Sequence, residues 1–282
     1  MQFAVNYTPK AAALLQAGQI SIDLYKCPDW PDLVQEAQEQ RPAYVHFPLY
    51  AGLNNMPAID WAKVDGFLAT TATRYINLHL APNTRDFDGM PIDTQDTYWV
   101  EQIVARILHD IDIVKARYGA ERIILENVPW DPIPQFAIPR PALDPAIVTH
   151  IVQESGCGLL LDTAHARIAA LYMGMDEIAY VDGLPGEALR EVHVTGTMHS
   201  EDDGRWHDHF AMTDPDWRLA EHVMARISAG EWRVPEIVAL EYGGVGPLFE
   251  WRTETEVLAV DAPRLYAMVQ DARRTLAQQT PT

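Results

Sequence analysis

The sequence has few cysteines and no long apolar run, and each shortage excludes a class of protein. Cys27 and Cys157 are too few for a disulfide framework and lack zinc-ribbon spacing. No segment reaches the roughly eighteen consecutive apolar residues of a membrane-spanning helix. The amino terminus also lacks the basic and apolar regions of a signal peptide. These absences favour a soluble protein of a reducing cytoplasm, without a membrane partner.

Basic residues are also scarce. The chain has 21 Lys and Arg residues against 40 Asp and Glu residues, and its formal net charge is −19. Such a charge repels phosphate backbones, and no basic tract offsets it locally. We therefore expect no nucleic-acid partner.

What the sequence does contain is a regular alternation of short apolar segments with amphipathic helical segments. Eight apolar segments have the length and composition of strands: 3–6, 20–26, 44–49, 74–80, 122–128, 158–161, 191–195 and 236–242. Strands that alternate with helices predict parallel βαβ units, and eight such units predict a closed barrel. Since 282 residues suit one barrel of this kind, we predict an α/β fold, a single (β/α)8 TIM-barrel domain over residues 1–282.

The segment 158–167, GLLLDTAHAR, is the most informative part of the chain. Its apolar half predicts a buried parallel strand, which ends at Asp162, and His165 follows three residues later. Barrel enzymes place their catalytic residues at this end of their strands. By itself, however, Asp162 equally suits the N-cap of the next helix.

Histidines and carboxylates lie at or near the ends of the other predicted strands. The set is His46, His79, Glu126, Asp162, His165, His193, His207, His209 and Glu241. Each member alone fits a hydrogen-bonded core residue or a solvated loop. Gathered at one barrel mouth without partners, they would cost several kcal/mol per buried charge. Metal ions remove that cost, and this ligand set suits two or three ions of iron, zinc or manganese.

Three predicted connections at the same face are longer than usual: 81–96, 129–145 and 197–214. The second is rich in proline and carries Trp130 and Phe136. We expect it to form one wall of a substrate cleft.

The motifs LENV, LLLDTAH, EVHVTG, HDH and LEYGG, with His46 and His79 before them, resemble the xylose-isomerase-like TIM-barrel superfamily. The chain is most similar there to the multinuclear non-haem iron-dependent oxidases. Members of that family modify ribosomally made peptides, often at cysteine, with a partner protein that presents the peptide. Two other branches are the three-zinc phosphodiesterases of the endonuclease-IV type and the sugar isomerases and epimerases.

The resemblance implies a ligand role for each residue of the set. Glu126 would bridge two ions, one of which would also bind His46 and His79. The ligands of another ion would be Asp162, His193 and Glu241.

A third ion would bind His165, His207 and His209. The chain departs from the family pattern here in two ways. Oxidases of the family usually have asparagine where His165 stands, and both oxidases and endonucleases commonly use Asp-x-His where this chain has His207-x-His209.

The net charge disfavours an endonuclease, and six histidines exceed the need of a two-metal sugar isomerase. We therefore expect an iron oxidase that uses O₂ to modify a peptide, with His193, Glu126 and Glu241 as catalytic residues. The cofactors would be two or three divalent or trivalent ions, iron foremost, with zinc or manganese as alternatives. The competing interpretations are a zinc- or manganese-dependent sugar isomerase or epimerase, a phosphodiester hydrolase, and a metal-binding barrel without catalysis.

Overall fold

The computed structural model describes residues 1–130, 137–247 and 249–279. The strands in this part of the chain are β1 (Gln2–Asn6), β2 (Leu24–Cys27), β3 (Ala43–Val45), β4 (Tyr50–Ala51), β5 (Ile76–Leu80), β6 (Ile123–Glu126), β7 (Gly158–Asp162), β8 (Leu189–Val194), β9 (Gly196–Ser200), β10 (Arg205–Phe210) and β11 (Ile237–Leu240). The α-helices are α1 (Pro9–Gln16), α2 (Pro31–Gln38), α3 (Trp61–Thr70), α4 (Thr97–Tyr118), α5 (Pro145–Ser155), α6 (Thr163–Met173), α7 (Glu177–Asp182), α8 (Asp214–Ser228) and α9 (Thr255–Gln279).

A parallel sheet forms the centre of the fold. Its strand order is β3-β2-β1-β11-β8-β7-β6-β5-β4, and every neighbouring pair is parallel. Only residues 46–49 separate β3 at one edge from β4 at the other, so the sheet curls round until its edges meet. The predicted (β/α)8 TIM-barrel fold is confirmed.

The predicted strand 44–49 is interrupted in the structure. It ends at Val45 and resumes as the short strand β4, and Pro48 in the gap has no N–H to donate to a ladder. On the far side of the gap, the His79 N–H donates to Leu49 O at 2.9 Å and the Ala81 N–H to Ala51 O at 3.1 Å. The interruption leaves His46 at the point where the barrel closes.

The interior of the barrel changes from apolar to ionisable along the strands. A small cluster separate from the main core fills its amino end: Ala4, Leu24, Tyr44, Ile237 and Ala239. Because strand side chains alternate between faces, Lys26 shares a face with Leu24, and Glu241 shares a face with Ala239. The ionisable side chains thus lie inside the barrel at its carboxyl end.

The long connection after β8 contains two strands that the sequence analysis does not predict. Strands β9 and β10 form an antiparallel hairpin there, with a register irregularity between His207 and Phe210. In the predicted connection 129–145, the Trp130 ring stacks on Tyr172 with ring centroids 3.9 Å apart, and Phe136 lies outside the described residues. Among the described helices, none combines the length and the hydropathy needed to cross a bilayer.

Candidate metal centre

A cavity of about 320 Å³ opens at the carboxyl ends of the strands. Trp30, Tyr50 and Phe249 contribute aromatic surface to its walls. Six of the predicted site residues line it: His46, His79, Glu126, His165, His209 and Glu241. Asp162 and His193 are almost completely buried. Asp162 lies close to Glu126 and His165, and both Asp162 and His193 lie close to Glu241.

The potential ligands form three overlapping groups, and within each group the ligand atoms lie within 4.8 Å of one another. The groups are His46, His79 and Glu126; Glu126, Asp162 and His165; and Asp162, His193 and Glu241. Glu126 belongs to the first two groups and Asp162 to the last two. Shared carboxylates are what a site for adjacent ions requires, because one carboxylate has two oxygens to offer.

His79 and His46 present neutral imidazoles to Glu126. His79 Nδ1 hydrogen-bonds to Leu49 O at 3.0 Å, which leaves Nε2 facing Glu126 Oε2 at 3.1 Å. His46 Nε2 lies 3.4 Å from the same oxygen. Burial lowers the pKa of His79 to about 4 and holds the pKa of His46 well below its usual range. Neutral imidazole is the form that binds metal ions.

Asp162 fits both interpretations that its sequence position allows, the N-cap of a helix and a potential metal ligand. Its Oδ1 accepts a hydrogen bond from His165 N at 2.8 Å, as the N-cap of α6. Its Oδ2 is buried and has no hydrogen-bond partner among the described residues. The carboxylate therefore caps the helix with one oxygen and offers the other to the cluster.

Two other buried atoms of the cluster lack hydrogen-bond partners in the part of the chain that the structure describes, namely Glu126 Oε2 and His193 Nδ1. An unsatisfied buried polar atom costs about 1–3 kcal/mol. All three atoms belong to residues of the ligand groups, and a bound cation would satisfy them together. The donor set therefore fits metal ions.

Lys26 contributes a positive charge that the sequence interpretation missed. Its ammonium contacts Glu241 Oε1, while His193 Nδ1 lies 2.8 Å from Glu241 Oε2. Burial opposes the effect, but Lys26 and His193 hold the pKa of Glu241 well below its usual range. A lysine near the end of a predicted barrel strand was the available signal.

The remaining histidines are oriented by backbone carbonyls. His165 Nδ1 hydrogen-bonds to Asn127 O at 2.9 Å, so Nε2 faces Asp208 Oδ2 at 3.1 Å. His209 Nδ1 hydrogen-bonds to Gly243 O at 3.0 Å, and its Nε2 lies 3.6 Å from Glu241 Oε1. Burial alone would lower the pKa of His165, but the carboxylates of Asp162 and Asp208 raise it well above its usual range.

His207 does not join the cluster. Its Nε2 lies 3.0 Å from Asp203 Oδ2 near the hairpin turn, and Asp208 faces His165 instead. His209 has a φ of 60° and lies within the register irregularity of β10, which turns successive side chains away from simple alternation. The segment thus presents Asp208 and His209, not His207 and His209, to the cluster.

This arrangement predicts opposite results for two neighbouring substitutions. We expect Asp208→Asn to reduce the number of bound ions per chain by one, because it weakens the oxygen donor opposite His165. His207→Ala should leave the ion count unchanged. Elemental analysis of both purified variants measures this, and the reverse pattern would show that His207 is the ligand.

The protonation of the metal-free centre predicts a pH dependence for metal binding. Burial raises the pKa of Glu126 to about 8, and Glu241 raises the pKa of His193 to about 10 although burial opposes it. Both groups hold a proton at pH 7, which a metal ion must displace. Affinity should therefore rise from pH 6 to pH 8 by about tenfold per pH unit for each proton displaced. Competition with a chromophoric chelator measures the affinity, and a flat profile would contradict the prediction.

The sequence matches the family described as RiPP precursor modification enzyme MbnB/TglH/ChrH over residues 57–236. Among curated relatives, a UPF0276 protein of Paraburkholderia phytofirmans is 39% identical over 83 residues, which cover 27% of each chain. A UPF0276 protein of Bordetella bronchiseptica is 28% identical over 217 residues, or 74% of this chain and 64% of the relative. The matched segments thus cover less than two thirds of either relative.

Solved structures share the fold at low sequence identity. A xylose isomerase domain protein from Alicyclobacillus acidocaldarius superimposes with a TM-score of 0.56 at 18% identity. The match covers 96% of this chain and 99% of the other. This likeness supports the xylose-isomerase-like barrel and, at such identity, nothing finer.

Proposed function

The chain belongs to the RiPP precursor modification enzyme MbnB/TglH/ChrH family, and from that premise we propose that it is a metal-dependent oxidase that uses O₂ to modify a peptide. Family and fold indicate an enzyme of the xylose-isomerase-like TIM-barrel superfamily. The observation that carries the proposal is the chain of three ligand groups that share Glu126 and Asp162.

In this proposal two or three ions occupy the centre, with iron foremost. His46 and His79 would bind one ion, and Glu126 would bridge it to its neighbour. The further ligands would be Asp162, His193 and Glu241, with His165, Asp208 and His209 for a third ion. Iron held there would supply redox chemistry, with O₂ as the electron acceptor and the peptide as the donor.

The cavity above the ligands is suited to one segment of an extended peptide. A volume of about 320 Å³ accommodates a side chain with its adjoining backbone, not a folded domain. Trp30 and Phe249 would cover the segment and exclude water, and Lys26 would keep Glu241 ionised as a ligand. His193, Glu126 and Glu241, proposed as catalytic, would hold the ions at which the substrate reacts. A partner protein that presents the peptide would have to dock outside this cavity.

The net charge of −19 disfavours the phosphodiester substrates of a hydrolase. Isomerisation of a sugar by zinc or manganese would use the same ligands and would proceed without O₂. In a non-catalytic barrel, no ion would be accessible from the cavity. Four of the proposed ligands line the cavity, which favours a catalytic centre: His46, His79, Glu126 and Glu241.

The requirement for oxygen distinguishes these functions. Protein purified anaerobically without added metal should contain two or three irons per chain, with an EPR or Mössbauer signal that O₂ changes. A peptide encoded beside the gene should change in mass only when O₂ is present. The His193→Ala variant, prepared in parallel, should lose the activity.

Other outcomes would replace the proposal. Stoichiometric zinc or manganese without iron, or turnover without O₂, would favour hydrolysis or isomerisation. Full activity of the metal-free protein would exclude a metal-dependent reaction altogether.

A further inference from the structure

A buried carboxylate below the metal centre has no role in the sites described so far. Glu191 lies on β8 two residues before His193 and is 3% exposed. Its Oε1 accepts a hydrogen bond from Tyr44 Oη at 2.7 Å and lies 2.8 Å from His193 Nε2. Glu191 is absent from the three ligand groups, since its contacts lie on the opposite side of the His193 ring from Glu241.

Burial of Glu191 requires a physical reason. A carboxylate taken from water into a protein interior costs several kcal/mol unless partners satisfy it. Within the described residues, no lysine or arginine forms an ion pair with Glu191, and its polar contacts are the Tyr44 hydroxyl and the His193 ring. Tyr44 itself belongs to the apolar cluster at the amino end of the barrel, so the carboxylate has apolar surroundings on that side.

The two contacts determine which nitrogen of His193 faces the cluster. In the neutral ring that binds metal, Nε2–H is donated to Glu191 and Nδ1 is the free atom, which lies 2.8 Å from Glu241 Oε2 and 3.9 Å from Asp162 Oδ2. Nδ1 is also one of the buried atoms without a hydrogen-bond partner among the described residues. Tyr44 holds the carboxylate from below and so limits its rotation.

His193 differs in this respect from other histidines of the centre. His79, His165 and His209 each hydrogen-bond to a backbone carbonyl. A carboxylate is a stronger acceptor than a carbonyl, and it makes the opposite ring nitrogen a better electron donor. The His193 ring therefore has a carboxylate in the place where these three rings have a backbone carbonyl.

We propose that Glu191 and Tyr44 are positioning residues that hold His193 with Nδ1 directed at the ion bound by Asp162 and Glu241. This inference rests on the proposed metal-dependent function. It predicts that loss of either residue weakens the binding of one ion and leaves the others nearly unchanged.

The test compares zinc binding and the state of the His193 ring in four variants. Glu191→Leu removes the acceptor, Glu191→Gln keeps an acceptor without the charge, and Tyr44→Phe removes only the hydroxyl. Tyr180→Phe is the matched control. The buried hydroxyl of Tyr180 donates a hydrogen bond of 2.6 Å to Leu143 O, and this contact lies away from the metal centre. Zinc affinity is measured by competition with a chelator, and ¹⁵N-histidine NMR of the zinc-loaded protein reports which ring nitrogen carries the proton.

We expect wild type and Tyr180→Phe to show the Nε2-protonated form of His193 and equal zinc affinities. Glu191→Leu should weaken one zinc site by about 10–100-fold, the usual effect of losing such a partner. Tyr44→Phe and Glu191→Gln should show smaller losses at that same site and an altered Nε2–H signal. These two milder variants decide the question if Glu191→Leu does not fold.

The inference would be wrong if Tyr44→Phe and Glu191→Gln both kept the zinc affinity and the His193 signal of wild type. The proposed function would survive that result, because wild type would still bind metal. Failure of wild type itself to bind zinc or iron would overturn the proposed function and this inference together.

Discussion

Glu126→Gln should leave the barrel folded but deprive it of bound metal, with affinity reduced by more than about 100-fold. Even a residue that only orients a ligand contributes about 10–100-fold, and Glu126 is shared by two ligand groups. The amide of glutamine is neutral and cannot bridge two cations as a carboxylate does. Elemental analysis after dialysis against a weak chelator measures the loss, and a metal content equal to that of wild type would contradict the assigned role.

The same substitution should make the metal-free protein more stable. Burial raises the pKa of Glu126 from 4.5 to about 8, so the folded state holds a proton that the unfolded state releases. The contribution of Glu126 to the stability of the metal-free protein therefore falls as the pH rises between these two values, by about 1.4 kcal/mol per pH unit. Glutamine does not titrate, and Glu126→Gln should exceed wild type by a few kcal/mol at pH 8 and by little at pH 5.

Urea denaturation at both pH values tests this prediction. Glu154→Gln on α5 is the matched control, because Glu154 is exposed and its substitution should change the free energy of unfolding little at either pH. If Glu126→Gln gained no stability at pH 8, the positive charges of His165 and His193 would already stabilise the buried carboxylate. A gain in stability with a loss of metal would identify Glu126 as a residue retained for function.

Lys26→Met should destabilise the metal-free protein by about 3 kcal/mol. The substitution removes one partner of a buried ion pair and leaves Glu241 without the ammonium, a change that typically costs about 3–5 kcal/mol. We expect a loss of stability at the lower end of this range because His193 Nδ1 also faces Glu241. Bound zinc should then stabilise Lys26→Met more than wild type, since the ion supplies the charge that the ammonium has lost.

Denaturation with and without zinc measures both effects. Lys115→Met is the control, because Lys115 forms an ion pair with Asp112 at 3.2 Å on the surface of α4 and should contribute at most about 1 kcal/mol. A loss in Lys26→Met no larger than in this control would mean that water or another group already satisfies Glu241. A deficit that zinc did not reduce would place Glu241 outside the ion site.

The fold was largely predictable because its signals are local. Apolar residues recur at helical spacing over residues 97–118, and this segment forms α4. The unbroken apolar run at 158–161 marked β7, and the end of that run located Asp162 at the carboxyl end of the barrel. Alternation of strands and helices was then sufficient for the TIM-barrel prediction.

The structure differs from the sequence predictions where a local pattern does not determine side-chain direction. In the HDH segment, the choice between His207 and Asp208 depends on a register irregularity in β10. An irregularity of one residue exchanges the two faces of a strand, and short polar segments give no periodic signal to locate it. The hairpin itself was missed for the same reason, because most of its residues are polar or partly exposed.

By itself the sequence determined the barrel, the strand ends and the residue types gathered there, because hydrophobic periodicity and strand termination are properties of neighbouring residues. Only the tertiary structure decided which atoms meet. Lys26 and Glu241 are 215 residues apart, and Tyr44 and Glu191 are 147 apart, yet each pair is in contact inside the closed barrel. Closure of the sheet creates these contacts, and no spacing along the chain encodes them.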